Sequence, residues 1–176
     1  MLNPANQNLR VLEWAADGET ISGKIVAALK DKPAGTLVNL KASTLGDDPP
    51  ELELASDIDA FLLLTDTVDA GATDFEKRYW GDYVQPPVEV GKIATARKAR
   101  LIEVEGTALI DEATSGYALS DSTPVGTYVG AKGGKFALAQ DEKDVLFRVE
   151  ANLAAKNGGN FRLRLRRVEF QKPTPA

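Results

Sequence analysis

Residues 130–135, GAKGGK, set glycines beside a lysine in the manner of a phosphate-cradling loop. That loop needs four residues between its first glycine and the Gly-Lys pair, and then Ser or Thr, so that backbone N–H groups surround a phosphate. Here three residues separate Gly130 from Gly134, and Phe136 follows Lys135. Flanked by TYV and FALA, the segment reads as a hairpin turn. Asp66, Asp69 and Asp74 could offer oxygen ligands to calcium, but their spacing fits no compact binding loop and reads as a solvated acidic loop. Asp47, Asp48 and Glu51 read the same way, beside the turn residues Pro49 and Pro50. Asp57 and Asp59 would share one face of a strand, and paired carboxylates can do acid–base work. No nucleophile or cofactor loop accompanies them.

The chain has no histidine and no cysteine. That removes the commonest general base and metal ligand, any Ser-His-Asp triad, thiolate chemistry, disulfides and cysteine-held zinc. No catalytic, metal-binding or cofactor-binding residue is assigned, and the expectation is a protein that is not an enzyme.

What stands out instead is a stripe of arginines, FRLRLRRVEF at 161–170, in a chain of net charge -5. Residues 161–172 hold four arginines and one lysine against Glu169, which leaves +4 there and -9 in the remainder. Three uses are open. A nucleic-acid groove would want exposed aromatics between the arginines for base stacking; Phe161 and Phe170 fall on the inward parity, and the acidic body opposes a polyanion, so nucleic acid is not expected. A solvated face is the plain alternative. A protein contact is favoured, because guanidinium forks suit carboxylates and arginine is enriched at interfaces.

The elements that must position this stripe are strands. LRVLEWA (9–15), ISGKIVAAL (21–29), TLVNLKAS (36–43), LELAS and AFLLLT alternate or run apolar, with turn signals at Asp17-Gly18 and Lys32-Pro33-Ala34-Gly35. ISGKIVAAL also fits a helical face; Gly23 and its β-branched residues favour a strand. AFLLLT does not alternate, which predicts burial on both faces. In the second half VEVGKIATARKARLIEVEG, GYALS, GTYVGA, KFALAQ and VLFRVEANLA follow at short intervals, punctuated by glycines. The expected fold is mainly β with few helices: a small antiparallel barrel or sandwich. Residues 1–87 would form an N-terminal arm and β elaboration, and 88–176 the core barrel or sandwich, the whole being compatible with one compact unit.

VLFRVEANLA and FRLRLRRVEF read as a final hairpin. A three-residue loop, Asn157-Gly158-Gly159, sets Leu153 opposite Leu163, Ala151 opposite Leu165, Glu150 opposite Arg166 and Asn152 opposite Arg164. Val145, Phe147, Val149, Ala151 and Leu153 then face inward with Phe161, Leu163 and Leu165. Arg148, Arg162, Arg164 and Arg166 share the outer face. Restoring the parity of Val168 and Phe170 calls for a β-bulge at Arg166-Arg167.

DAGATDFEKRYWGDYVQPP (69–87) carries Phe75, Tyr79, Trp80 and Tyr83 on a long connection. These aromatics either cap the core or form an exposed anchor patch. With the arginines, Tyr79, Trp80 and Tyr83 are the candidate partner contacts. The start MLNPANQNLRVLEW lacks a basic segment followed by an apolar one, and AFLLL is too short to span a bilayer, so a soluble cytoplasmic product with no membrane partner is expected.

TSGYALSDSTPVGTYVGAKGGKFALAQ (114–140), followed by FRVEANL, resembles the head decoration, or cement, proteins of tailed bacteriophages. The resemblance rests on Gly116-Tyr117-Ala118, then Pro124-Val125-Gly126, then Val129 and Gly130, and covers the second half of the chain. It implies a virion structural protein made in the host cytoplasm that binds the major capsid protein and stabilises the shell. It also implies a homo-oligomer, commonly a trimer, with no cofactor. A tail tube or other ring-forming subunit is the alternative phage role, and a nucleic-acid-binding barrel the third reading.

Overall fold

The computed structural model describes residues 8–13, 19–30, 32–41, 49–56, 60–64, 90–153 and 161–168. The strands are β1 (Asn8–Glu13), β2 (Thr20–Ile25), β3 (Leu37–Lys41), β4 (Glu51–Leu54), β5 (Phe61–Leu64), β6 (Ile93–Arg97), β7 (Leu101–Glu105), β8 (Tyr128–Lys132), β9 (Lys135–Leu138), β10 (Phe147–Leu153) and β11 (Arg162–Arg167). Short 3-10 turns at Ala27–Leu29 and Glu142–Asp144 are the helical elements among the described residues. The mainly β expectation is met.

β2-β4-β3-β5-β6 close a small barrel, and β1-β7-β11-β10-β8-β9 form a six-stranded sheet. Within the barrel β2 and β4 run parallel and the remaining pairs antiparallel. The barrel strands lie between residues 20 and 97; β1 precedes them and β7 to β11 follow. The division expected at residue 87 falls outside the described residues.

Side-chain parity explains how the layers meet. Ile25, Leu29, Val38, Leu52, Phe61, Leu63 and Ala96 fill the barrel. Leu37 and Leu62, on the opposite parity, join Ala55, Ala60 and Ala99 in a second core with the inner face of the sheet, where Ile102, Val104, Val129, Phe136, Phe147, Val149, Leu163 and Leu165 meet. Residues 60–63 of the unalternating run are thus buried on both faces, Phe61 and Leu63 toward one core and Ala60 and Leu62 toward the other. Full burial of each such side chain is worth about 1.5–3 kcal/mol.

GAKGGK is a hairpin turn, with Lys132 opposite Lys135 and Gly133 and Gly134 at φ 55 and 82. Positive φ at both central residues is what a tight hairpin needs. This turn also locks the two layers: Leu37 donates its N–H to Gly134 O at 2.8 Å, and Gly134 N–H donates to Ala55 O at 2.9 Å. ISGKIVAAL is a strand only to Ile25; Leu29 N–H then closes on Val26 O at 2.9 Å, turning the chain so that Leu29 plugs the barrel.

GYALS is not a strand. Gly116 takes φ 80, and the segment is tied down by isolated bonds, Leu119 N–H to Asp111 O at 2.8 Å and Leu138 N–H to Tyr117 O at 2.8 Å.

The final hairpin departs from the expected register. Val149 opposes Leu165, but Ala151 opposes Arg164, Asn152 opposes Leu163 and Leu153 opposes Arg162. The irregularity lies between Val149 and Ala151, at Glu150, and the ladder runs unbroken through Arg166 and Arg167. Because the extra residue sits on β10, Val145, Phe147 and Val149 are buried as expected while Ala151 is half-buried and Leu153 exposed. The loop expected at Asn157-Gly158-Gly159 lies outside the described residues.

Candidate functional site

The arginine stripe lies on the outer face of the six-stranded sheet, because Leu163 and Leu165 between its members are drawn into the core. Register arranges this face in rows. One row runs Tyr128 (β8), Arg148 (β10), Arg166 (β11), Leu101 (β7); the next sets Ala151 beside Arg164 and Glu103; the third sets Leu153 beside Arg162 and Glu105. Arg148, Arg162, Arg164 and Arg166 therefore share one face.

The arginines of β11 are met by carboxylates within the chain. Arg164 donates from Nε and Nη2 to Glu103 Oε1 at 3.0 and 2.7 Å. Arg162 donates from Nε and Nη2 to Glu105 Oε2 at 3.2 and 2.8 Å, and its Nη1 lies 3.5 Å from Glu103 Oε2. Arg166 pairs through Nε with Glu150, which the irregularity on β10 brings within reach. The Glu103 and Glu105 side chains are only 5% and 10% exposed, so these pairs are shielded from solvent on the acid side. Shielded, two-pronged guanidinium contacts fix geometry as well as charge.

Arg148 differs. It is exposed, and among the described residues no carboxylate pairs with it. Its guanidinium lies over Gly126, where an added Cβ would stand 3.4 Å from Nη2. Gly126 takes φ 94 in the Pro124–Thr127 turn, closed by Thr127 N–H to Pro124 O at 3.2 Å, with Val125 at its tip. Tyr128, 48% exposed, flanks Arg148 on the cross-strand side, and Val125 is 65% exposed.

Arg167 falls on the opposite parity and is structural. It donates from Nη2 to Ala60 O at 2.8 Å and from Nε to Ala99 O at 3.3 Å, and stacks over Phe147 at 4.9 Å. It ties the last strand of the sheet to the barrel layer.

A groove of about 270 Å³ lies beside β8 and β9, lined by Ser56, Tyr117, Lys132, Gln140 and Asp144 among others. Two of its polar side chains are engaged within the protein: Lys132 Nζ lies 3.2 Å from the Tyr117 ring centre, and Gln140 Nε2 donates to Gly116 O at 2.6 Å. Beside β9, to which its N–H donates at Phe136 O, the buried Asp111 accepts N–H bonds from Ala113 at 3.2 Å and Thr114 at 2.9 Å. Burial pushes the Asp111 carboxyl up, but the Thr114 and Ala113 hydrogen bonds and the charge of Lys135 outweigh it and hold the group below its ordinary value. Among the described residues no cluster of three His, Cys, Asp or Glu could hold a metal. No helix among them is long and apolar enough to cross a membrane.

Tyr79, Trp80 and Tyr83 lie outside the described residues, as do Asp47, Asp48, Asp57, Asp59, Asp66, Asp69 and Asp74. The residues that reading the chain missed are Glu103 and Glu105. Their signal was present: LIEVE alternates acids with apolar residues as RLRLR alternates arginines, and two such strands side by side must pair charge with charge.

No protein-family model matches this chain, and no curated protein does. Among solved structures, the head fiber gp8.5 N base of bacteriophage phi29 is similar over 87% of this chain and 99% of that one, at 14% identity and a TM-score of 0.39.

Proposed function

We propose that this chain is a non-enzymatic virion structural protein: a decoration subunit that binds the major capsid protein of a tailed phage and stabilises the shell. The reading rests on the resemblance of residues 114–140 to head decoration proteins. The observation that carries it in the fold is the outer sheet face. A subunit that braces a shell needs a broad, stiff surface whose side chains are ordered before contact, since ordering them on binding costs affinity. Here the Glu103–Arg164 and Glu105–Arg162 pairs hold the face in place, and the barrel packs behind it. The pairing of the β11 arginines with carboxylates leaves a poor counter-charge for a nucleic-acid backbone, which speaks against the groove reading.

Antibody raised against the full chain and applied to intact tailed-phage particles tests the proposal by electron microscopy. Label over the head shell is expected. Label along the tail would favour a tail tube subunit instead, and particles that take no label would overturn the assignment.

A further inference from the structure

The outer sheet face carries Arg148, Arg162, Arg164 and Arg166 against Glu103, Glu105 and Glu150. These seven charges sum to +1, so the rest of the chain sums to -6 within the total of -5. Three of the four arginines are matched with a carboxylate of their own chain. Among the described residues Arg148 has no such match, and it is held in a defined place: across the ladder from Tyr128 on one side, and over the Cβ-less Gly126 on the other. An exposed guanidinium flanked by an exposed tyrosine ring and an exposed valine at a turn tip combines a charge to be matched with apolar area to be covered.

We propose that the Arg148–Tyr128–Val125 patch is where a second copy of this chain docks, offering a carboxylate to Arg148 while its neighbours cover Tyr128 and Val125. Charge complementarity selects that occupant, because a positive patch faces a body that is otherwise strongly acidic. The same charges select the geometry. A two-fold axis through this patch would set Arg148 against its own symmetry mate, and like charges brought together at a contact are unfavourable. The contact is therefore head-to-tail, patch to a different surface of the next copy, and a head-to-tail contact closes into a ring or grows into a chain. The inference rests on the reading of this protein as a virion structural subunit.

Sedimentation equilibrium of the full chain separates the two. The wild type is expected to self-associate, and to dissociate as salt rises from about 50 mM to about 500 mM, where screening shortens the reach of charges. Arg148→Glu and Tyr128→Ala should each weaken association about tenfold or more, with unchanged circular dichroism. Lys143→Glu, an exposed charge change on the turn before β10, should leave association intact. A wild type that stays monomeric, or an oligomer indifferent to both patch variants, would overturn the proposal. A monomer whose binding to phage shells is lost in Arg148→Glu would also overturn it, by making the shell the occupant, while leaving the structural role standing.

Discussion

Arg164 lies directly across the ladder from Glu103, and its Nε and Nη2 both donate to one carboxylate oxygen, at 3.0 and 2.7 Å. The partners are not equally placed: the Arg164 side chain is 40% exposed and that of Glu103 5%. Remove Glu103 and the guanidinium can turn toward water. Remove Arg164 and a carboxylate stays shielded, with Arg162 Nη1 at 3.5 Å left to meet it among the described residues.

The costs should follow that asymmetry. Arg164→Ala is expected to destabilise by ~2–4 kcal/mol, and Glu103→Gln, which keeps an acceptor in place, by ~1–2 kcal/mol. Urea denaturation of the two variants reads both numbers. A reversed order would mean that the acid side of the pair is solvated after all.

Gly134 offers a second contrast, with its own neighbour. Both turn glycines have positive φ, but an added Cβ at Gly133 meets nothing within 4 Å, whereas at Gly134 it would stand 2.6 Å from Leu54 Cδ2, 3.0 Å from Thr36 Cγ2 and 3.2 Å from Leu37 O. Gly133→Ala carries only the left-handed backbone cost, ~1–2 kcal/mol. Gly134→Ala adds overpacking at the joint between sheet and barrel and is expected to cost at least ~1–3 kcal/mol more. Thermal unfolding of the two variants side by side checks this; similar losses would mean the joint yields readily.

The parity of short-range patterns carried much of this fold. Ile102 and Val104 between Glu103 and Glu105, and Leu163 and Leu165 between arginines, mark faces that any pairing must respect, and the arginine face follows from them. What alternation could not reveal was where an extra residue enters. Moving the irregularity from Arg166-Arg167 to Glu150 changes no composition and no turn signal, yet it turns Leu153 outward and Asn152 toward Leu163. Barrel closure was hidden for a different reason. It depends on the parallel pairing of Lys24 and Ile25 with Glu51 and Leu52, a contact between segments that are not neighbours in the chain. Arg167, expected at a β-bulge, instead continues the ladder opposite Phe147, and its parity sends it to the carbonyls of Ala60 and Ala99.

Asp111 and Glu112 should bend the pH dependence of stability in opposite directions. A carboxyl held below its ordinary 3.8, as in Asp111, contributes stability that is present above that value and lost as the pH falls through the lower folded value. Burial pushes Glu112 above its ordinary 4.5, against the pull of Lys135, so its contribution is present below that value and lost as the pH rises through the folded value. Between about pH 6 and about pH 2.5, Asp111→Asn should therefore lose less stability than the wild type and Glu112→Gln more. Denaturation midpoints across that range decide it; parallel curves for all three proteins would remove both groups as determinants.

Asn152 is the residue through which the Glu150 irregularity acts on the rest of the molecule. The shifted register brings its Nδ2 to the carbonyls of Ser120 at 3.2 Å, Asp121 at 3.0 Å and Thr123 at 2.9 Å. One amide thus holds the segment that leads to the Pro124–Thr127 turn, and with it Val125 beside Arg148. Asn152→Ala deletes those bonds and should cost ~1–2 kcal/mol, whereas Asn152→Asp sets a carboxylate against three acceptors and should cost ~2–4 kcal/mol. Protonation gives the aspartate a donor, so the gap between the two variants should narrow below about pH 4. Amide exchange at residues 120–127 should speed up in both variants relative to β8 and β9. If Asn152→Asp is no worse than Asn152→Ala at neutral pH, the segment is held by its own turns, Ser120 N–H to Thr123 Oγ1 at 2.8 Å among them, and the register shift at Glu150 has no bearing on the contact surface.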